Sequence, residues 1–325
     1  MPRVVVFDET GAPEVLHSVD EPLGEPGAGE VRVKLEAIGV NRLDQMQRAG
    51  LSPRPIRLPH ARLGVEGTGT VDAVGVDVAG LAIGDAVILT AVPDMDTNGT
   101  YAEYVVVPAA RLIARPSGID AVPAAALWVA YATAYGALVE KAGMRPGDTV
   151  LITAASSGVG VAAIQVANQI GAVPVAVTRS STKRDALLGA GAATVIASDR
   201  ENTVETARAF TGGVGVDIIL DSVIGPGLAE LATAARFGAS LITVGWLDPR
   251  PASFPMTPLT IYRYMSFEHV LDPVVVRRIA AFVGAGLASG VLSPVIDRVY
   301  SLDEVVAAHH HLEQGPQCGK VVLTV

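Results

Sequence analysis

The stretch that decides the fold is Thr153-Ala154-Ala155-Ser156-Ser157-Gly158-Val159-Gly160. It follows Thr149-Val150-Leu151-Ile152, an apolar run that reads as a strand, and it opens a run from Gly158 to Ile170 that reads as a helix. Small side chains let a backbone come close to an anion, and a helix N-terminus presents N–H donors and a positive partial charge. In this strand-loop-helix setting the loop predicts a pyrophosphate site, with Ser156, Ser157, Gly158 and Val159 facing the anion.

Downstream the pattern repeats. Val173 to Thr178 reads as the next strand, a helix runs through Leu188, and Ala193–Ile196, Val216–Leu220 and Ser240–Val244 read as further strands. Near-continuous apolar strands separated by helices indicate a parallel sheet covered on both faces. That is the doubly wound (Rossmann) α/β plan. In this plan an NAD site carries Asp or Glu about 20 residues after the loop, on the ribose hydroxyls. Here the second strand ends Thr178-Arg179-Ser180-Ser181-Thr182-Lys183-Arg184, and no acid appears before Asp185. A carboxylate would repel a 2′-phosphate, whereas Arg179 and Lys183 attract one and Ser180 can donate to it. The expected cofactor is therefore NADPH.

The first third of the chain differs. Val4 to Phe7 and Glu30 to Ala37 are short β-branched runs, and glycines punctuate the valines from Gly64 to Leu89. This density of glycine suits tight turns and bulges in a small β-barrel. Toward the end, Asp272-Pro273 is a helix start, Ser301-Leu302-Asp303-Glu304 is a capping box opening a helix that ends near Gly315, and Lys320 to Val325 is a strand. The expected division is a barrel domain from 1–122 and 267–325, with the cofactor domain 123–266 inserted.

Bulk properties exclude several classes. The 24 Lys and Arg against 33 Asp and Glu give a net charge of -9, which opposes nucleic-acid binding. Cys318 is the only cysteine, so no intrachain disulfide or cysteine-rich zinc site can form. Ala121 to Val139 carries no charge, but it is Ala-rich and interrupted by Pro123 and Gly136, so it reads as a buried helix and no membrane association is expected. The N-terminal apolar run stops at Asp8, too short for a signal-peptide core, and a cytoplasmic location is expected. His309, His310 and His311 lie consecutively on a predicted helix, pointing about 100° apart, and read as a solvated helix end rather than a metal site.

A similar loop occurs in short-chain reductases, which pair it with Tyr-x-x-x-Lys. No tyrosine of this chain has a lysine four positions on, and that reading falls away. Over its full length the chain instead resembles the medium-chain dehydrogenase/reductase superfamily, its zinc-independent quinone oxidoreductases above all. The resemblance is carried by the Gly64–Val87 region, Thr133-Ala134-Tyr135, Arg145-Pro146-Gly147-Asp148, Asp221-Ser222-Val223, Gly245 and Gly319-Lys320-Val321-Val322. It implies a chaperonin-10-like catalytic barrel, adds Thr133, Val223, Val244 and Gly245 to the cofactor-binding set, and implies a homodimer paired through an edge strand.

Zinc-containing members of that superfamily carry a first ligand where this chain has Asn41, a second where it has Val65 and a third near Val129; their hydroxyl relay falls at Leu43. None of these side chains is a zinc donor, and no metal is expected. The resemblance implies hydride transfer to a quinone or an α,β-unsaturated carbonyl. Asn41 would sit near the nicotinamide and the substrate carbonyl, with its amide donating to developing negative charge. Asp44 would cap or brace that segment. A tyrosine common to the family shortly after this Asn is replaced by Met46, which leaves the proton donor unassigned, with Tyr131 as one candidate. The alternatives are a reductase of saturated ketones and a non-catalytic, crystallin-like NADPH-binding protein.

Overall fold

The computed structural model describes residues 1–52, 55–315 and 317–325. The chain forms two compact units, Met1–Val129 with Ile296–Val325, and Ala130–Val295. The expected boundaries lay elsewhere, and the difference has a physical cause. The helix Pro273–Ser289, assigned from sequence to the barrel, packs inside the second unit: Gln169 donates to the Phe282 carbonyl at 2.9 Å, and Tyr135 stacks against Phe282. Only Ile296–Val325, two strands with the helix Val305–Gln314 between them, returns to the first unit.

In the first unit a seven-stranded sheet runs in the order Ile296–Ser301, Lys320–Thr324, Glu30–Val40, Gly67–Val74, Ala86–Leu89, Leu112–Ala114, with Tyr104–Pro108 also paired to Glu30–Val40. A three-stranded sheet of His17–Asp20, Arg3–Phe7 and Ala61–Arg62 packs on the same core, which gathers Val5, Phe7, Val33, Leu35, Leu63, Val87 and Leu323. The eleven residues of Glu30–Val40 carry the unit, pairing at one end with Tyr104–Pro108 and at the other with Lys320–Thr324. Glycine at 69 is required there, because a Cβ would stand 2.0 Å from the Lys34 carbonyl oxygen.

The second unit is built on a six-stranded parallel sheet: Thr194–Ala197, Val173–Thr178, Thr149–Ile152, Val216–Asp221, Ala235–Thr243, Thr260–Arg263. Its first five strands follow the sequence reading, and the helix after the glycine loop spans Gly158–Ile170 as expected. The sixth strand, Thr260–Arg263, lies in a segment that composition did not mark as a strand, since its side chains are mostly exposed. The uncharged Ala121–Val139 run folds into the short helices Ala121–Ala125 and Trp128–Tyr135 and a following π-turn, and no helix among the described residues is long and apolar enough to cross a membrane.

Candidate active site

In the second unit the loop after Thr149–Ile152 is pinned at both ends. Thr153 Oγ1 donates to Asp221 Oδ1 at 2.6 Å and accepts from the Ser222 N–H at 2.9 Å, tying two neighbouring strand ends together. Ala154 then turns with a positive φ of 47°, and Ala155 N–H returns to the Val177 carbonyl. Ser157 caps the helix, its hydroxyl accepting from Gly160 N–H at 3.0 Å. Gly160 permits the close crossing: a Cβ would lie 2.5 Å from the Ala155 carbonyl oxygen. The result is a cradle of small side chains at the positive end of a helix of thirteen residues.

The basic segment faces this cradle. Lys183 Nζ donates to Ser156 Oγ at 3.1 Å, so the lysine read as a 2′-phosphate ligand and the loop read as a pyrophosphate ligand share one neighbourhood. Ser180 caps the turn Ser181–Lys183, and Arg179 is exposed beside it. Sequence reasoning missed one acid here. Asp199 follows the strand Thr194–Ala197 and accepts from Ser181 N–H and Oγ at 3.0 and 2.9 Å; the Ser181 N–H holds its carboxyl below the usual range. Its side chain is directed at Ser181. Val223, Val244 and Gly245 lie at the C-terminal ends of adjacent strands, with Val244 N–H on the Asp221 carbonyl and Val223 N–H on Asp221 Oδ1. Thr133 is buried on the helix Trp128–Tyr135.

Tyr131 is placed differently from the proton donor expected of it. Its hydroxyl donates to Gln165 Oε1 at 2.6 Å, and that same oxygen accepts from Ser293 N–H while Gln165 Nε2 donates to the Ser293 carbonyl. Burial raises the phenol above its ordinary value. The group is a packing tie between a helix and the segment after Ser289.

In the first unit Asn41 closes the strand Glu30–Val40 and opens the helix Arg42–Arg48. Around it lies a buried polar cluster of which sequence showed only part. Asn41 Nδ2 donates to Glu66 Oε1 at 2.9 Å and to the Gly39 carbonyl at 3.1 Å. Lys320 Nζ donates to Asn41 Oδ1 at 2.6 Å and to Glu66 Oε1, and Val129 N–H donates to Glu66 Oε2 at 2.8 Å. Glu66 and Lys320 are almost wholly buried. Gly39 makes room for the carboxylate, since a Cβ there would meet Glu66 Oε1 at 2.5 Å. The expected amide donor is thus already engaged: an amide NH₂ has two protons, and both point inward.

Asp44 braces the same segment, accepting from the N–H groups of Asn41 at 2.8 Å and Gly64 at 3.2 Å and from the Tyr101 hydroxyl at 3.3 Å. Burial pushes its carboxyl up to about 7 against the pull of the Asn41 N–H. The Tyr101 hydroxyl also meets His309 Nε2 at 3.1 Å. This corrects the reading of the histidine tract as a solvated helix end. His309 is fully buried and burial holds it neutral down to about 3, while His310 meets Glu14 at 2.6 Å and His311 meets Asp297 at 2.5 Å. The helix presents three successive residues to three different surroundings because they diverge by about 100° each. Among the described residues no three His, Cys, Asp or Glu side chains converge as a metal ion would need.

Comparison with known proteins agrees with this architecture. Residues 27–117 match the alcohol dehydrogenase GroES-like domain, and residues 158–284 match the family model described as zinc-binding dehydrogenase. The quinone oxidoreductase of Lama guanicoe is 30% identical over 99% of this chain and 97% of its own length. The Escherichia coli quinone oxidoreductase complexed with NADPH superposes with a TM-score of 0.92 at 26% identity, over 99% of this chain and 100% of that one. A structure described as an NAD-dependent alcohol dehydrogenase has a TM-score of 0.88 at 33% identity, over 99% of both chains. With the barrel unit, the parallel-sheet unit and these matches taken together, the chain belongs to the quinone oxidoreductase branch of the medium-chain dehydrogenase/reductase superfamily.

Proposed function

We propose that the protein is a zinc-independent NADPH-dependent oxidoreductase that transfers hydride to a quinone or an α,β-unsaturated carbonyl. Relatives of the same fold differ in the dinucleotide their descriptions name, so this chain's own residues decide. The observation that carries the reading is Lys183 on Ser156, a basic residue beside the glycine loop, with Arg179 and Ser180 on the strand end where an NAD site would place an acid. Ser156, Ser157, Gly158 and Val159 would hold the pyrophosphate, Arg179, Ser180 and Lys183 the 2′-phosphate, and Thr133, Val223, Val244 and Gly245 the remainder of the cofactor. Bound there, NADPH supplies the hydride.

The family model that matches residues 158–284 is described as zinc-binding, but the side chains of this chain do not suit that metal. Asn41, Val65 and Val129 stand at the ligand positions, and the Lys320 ammonium bonds the Asn41 oxygen. Without a Lewis acid to polarise a carbonyl, the acceptors best served are those already electrophilic at carbon or at a quinone ring. Asn41 acts as a fixed dipole of the site rather than as a donor to the acceptor. The proposed assembly is a cytoplasmic homodimer: the edge strand Thr260–Arg263 pairs on one side with Ala235–Thr243, and Phe254 and Met256 nearby are exposed. NADPH oxidation measured against quinones, enones and saturated ketones tests the acceptor class. Turnover on quinones or enones is expected, while preferential turnover on saturated ketones, or tight NADPH binding with no turnover on any acceptor, contradicts it.

A further inference from the structure

Asp221 closes the middle one of three neighbouring parallel strands, Thr149–Ile152, Val216–Asp221 and Ala235–Thr243. Its side chain is buried, and its carboxylate collects donors from two of the loops that follow these strands. Thr153 Oγ1, where the glycine loop begins, donates to Oδ1 at 2.6 Å, and Val223 N–H joins it there at 3.2 Å. Ile224 N–H donates to Oδ2 at 2.7 Å. The main chain brings in the third loop. Val244 N–H donates to the Asp221 carbonyl at 2.8 Å, Leu247 N–H to that of Ser222 at 3.1 Å, and Asp248 N–H to that of Val223 at 3.0 Å. The glycine loop, the Val223 loop and the Val244–Gly245 loop are thus in register around one residue.

Ile224 shows what this carboxylate has to hold. It lies at a φ of 60°, in the left-handed region where a β-branched side chain crowds its own backbone. Two contacts oppose that strain: the N–H on Asp221 Oδ2, and the side chain packed on the core of the second unit. An amide could not replace the carboxylate. Both oxygens of Asp221 accept, whereas asparagine has one oxygen and an NH₂. Whichever way it turned, that NH₂ would face an N–H, of Ile224 on one side or of Val223 on the other, and a buried donor would lose its acceptor.

We infer that Asp221 is a positioning residue for the cofactor: it ties the start of the glycine loop to the loop after its own strand, and holds Ile224 in its left-handed turn so that Val223 keeps its place in the cradle. The inference rests on the cofactor reading given above and deepens it.

The test compares the wild type with Asp221→Asn, Asp221→Asn/Ile224→Gly, Thr153→Val and Thr153→Ser, each read by fluorescence titration with NADPH and by thermal unfolding. Asp221→Asn is expected to raise the NADPH Kd about tenfold. Glycine takes a left-handed turn without support, so the added Ile224→Gly is expected to bring Kd back to within about threefold of the wild type. Tm should not return with it, because glycine gives the core no side chain and widens the unfolded ensemble. Thr153→Val keeps the shape and loses the hydroxyl, and is expected to raise Kd about fivefold; Thr153→Ser, which keeps the hydroxyl, should avoid most of that loss. An unchanged NADPH Kd in Asp221→Asn overturns the proposal, as does a double variant that binds no better than the single one or whose Tm recovers in step with its Kd. If Asp221→Asn does not fold, the Thr153 pair decides, and equal Kd values for Thr153→Val and Thr153→Ser overturn the proposal. A wild type that prefers NADH contradicts the NADPH reading alone, since the same ratios taken with NADH still judge Asp221; binding of neither dinucleotide overturns both.

Discussion

Asp44 and His309 sit on the two sides of the Tyr101 hydroxyl and respond to pH in opposite directions. In the folded chain Asp44 holds its proton up to about 7, whereas an unfolded aspartic acid loses it near 3.9. Between those values the unfolded chain carries fewer protons, so this contribution to stability falls as pH rises and levels off above 7. His309 stays neutral down to about 3, whereas an unfolded imidazole protonates below about 6.5. Its contribution is present above 6.5 and is lost as pH falls toward 3. Whole-protein stability therefore blends the two, and the difference between wild type and Asp44→Asn isolates one. Urea unfolding from pH 4 to 8 should show that difference falling by up to about 1.4 kcal/mol per pH unit to near 7 and then becoming flat. Parallel stability curves would remove the buried, protonated Asp44 from the account.

At the scale of single elements the sequence was most informative where a feature is local. The Asp272-Pro273 helix start and the Ser301–Glu304 box both lie within three residues of chain, and each appears where its residues predict it. The cluster around Asn41 was only partly legible. Glu66 and Lys320 lie 254 residues apart, and Tyr101 and His309 lie 208 apart, so no periodicity or spacing could have joined them. Asp199 escaped for the same reason: it reaches Ser181 across 18 residues, from the next strand. The strand-loop-helix at Thr153–Gly160 carries its own prediction. Gly160→Val places a Cβ against the Ala155 backbone and must push the loop aside, weakening NADPH by about tenfold or more, a loss of roughly 1.4 kcal/mol. Ser157→Ala removes the cap, at a cost of about 1 kcal/mol of stability, together with a hydroxyl proposed to face the pyrophosphate. Fluorescence titration and thermal unfolding separate the two effects, and an unchanged NADPH Kd in Gly160→Val would show that the close crossing does not shape the cofactor cradle.

For the whole molecule, alternation of strands and helices sufficed to predict two units and the insertion of one within the other. The boundary was misplaced because Pro273–Ser289 has the apolar face of an ordinary amphipathic helix, and only packing against Gln169 and Tyr135 reveals which core it serves. Relatives covering the full chain bring the family but not the cofactor choice, which turns on Arg179, Ser180 and Lys183. These residues are proposed to run a reduction on NADPH with no metal. That reduction is tested most directly by measuring kcat/KM for NADPH and for NADH with one quinone acceptor, using protein stripped of metal by a chelator and assayed in its presence. Full activity after stripping and a preference for NADPH of about tenfold or more are expected. Activity that disappears with the chelator, or a preference for NADH, would contradict that expectation.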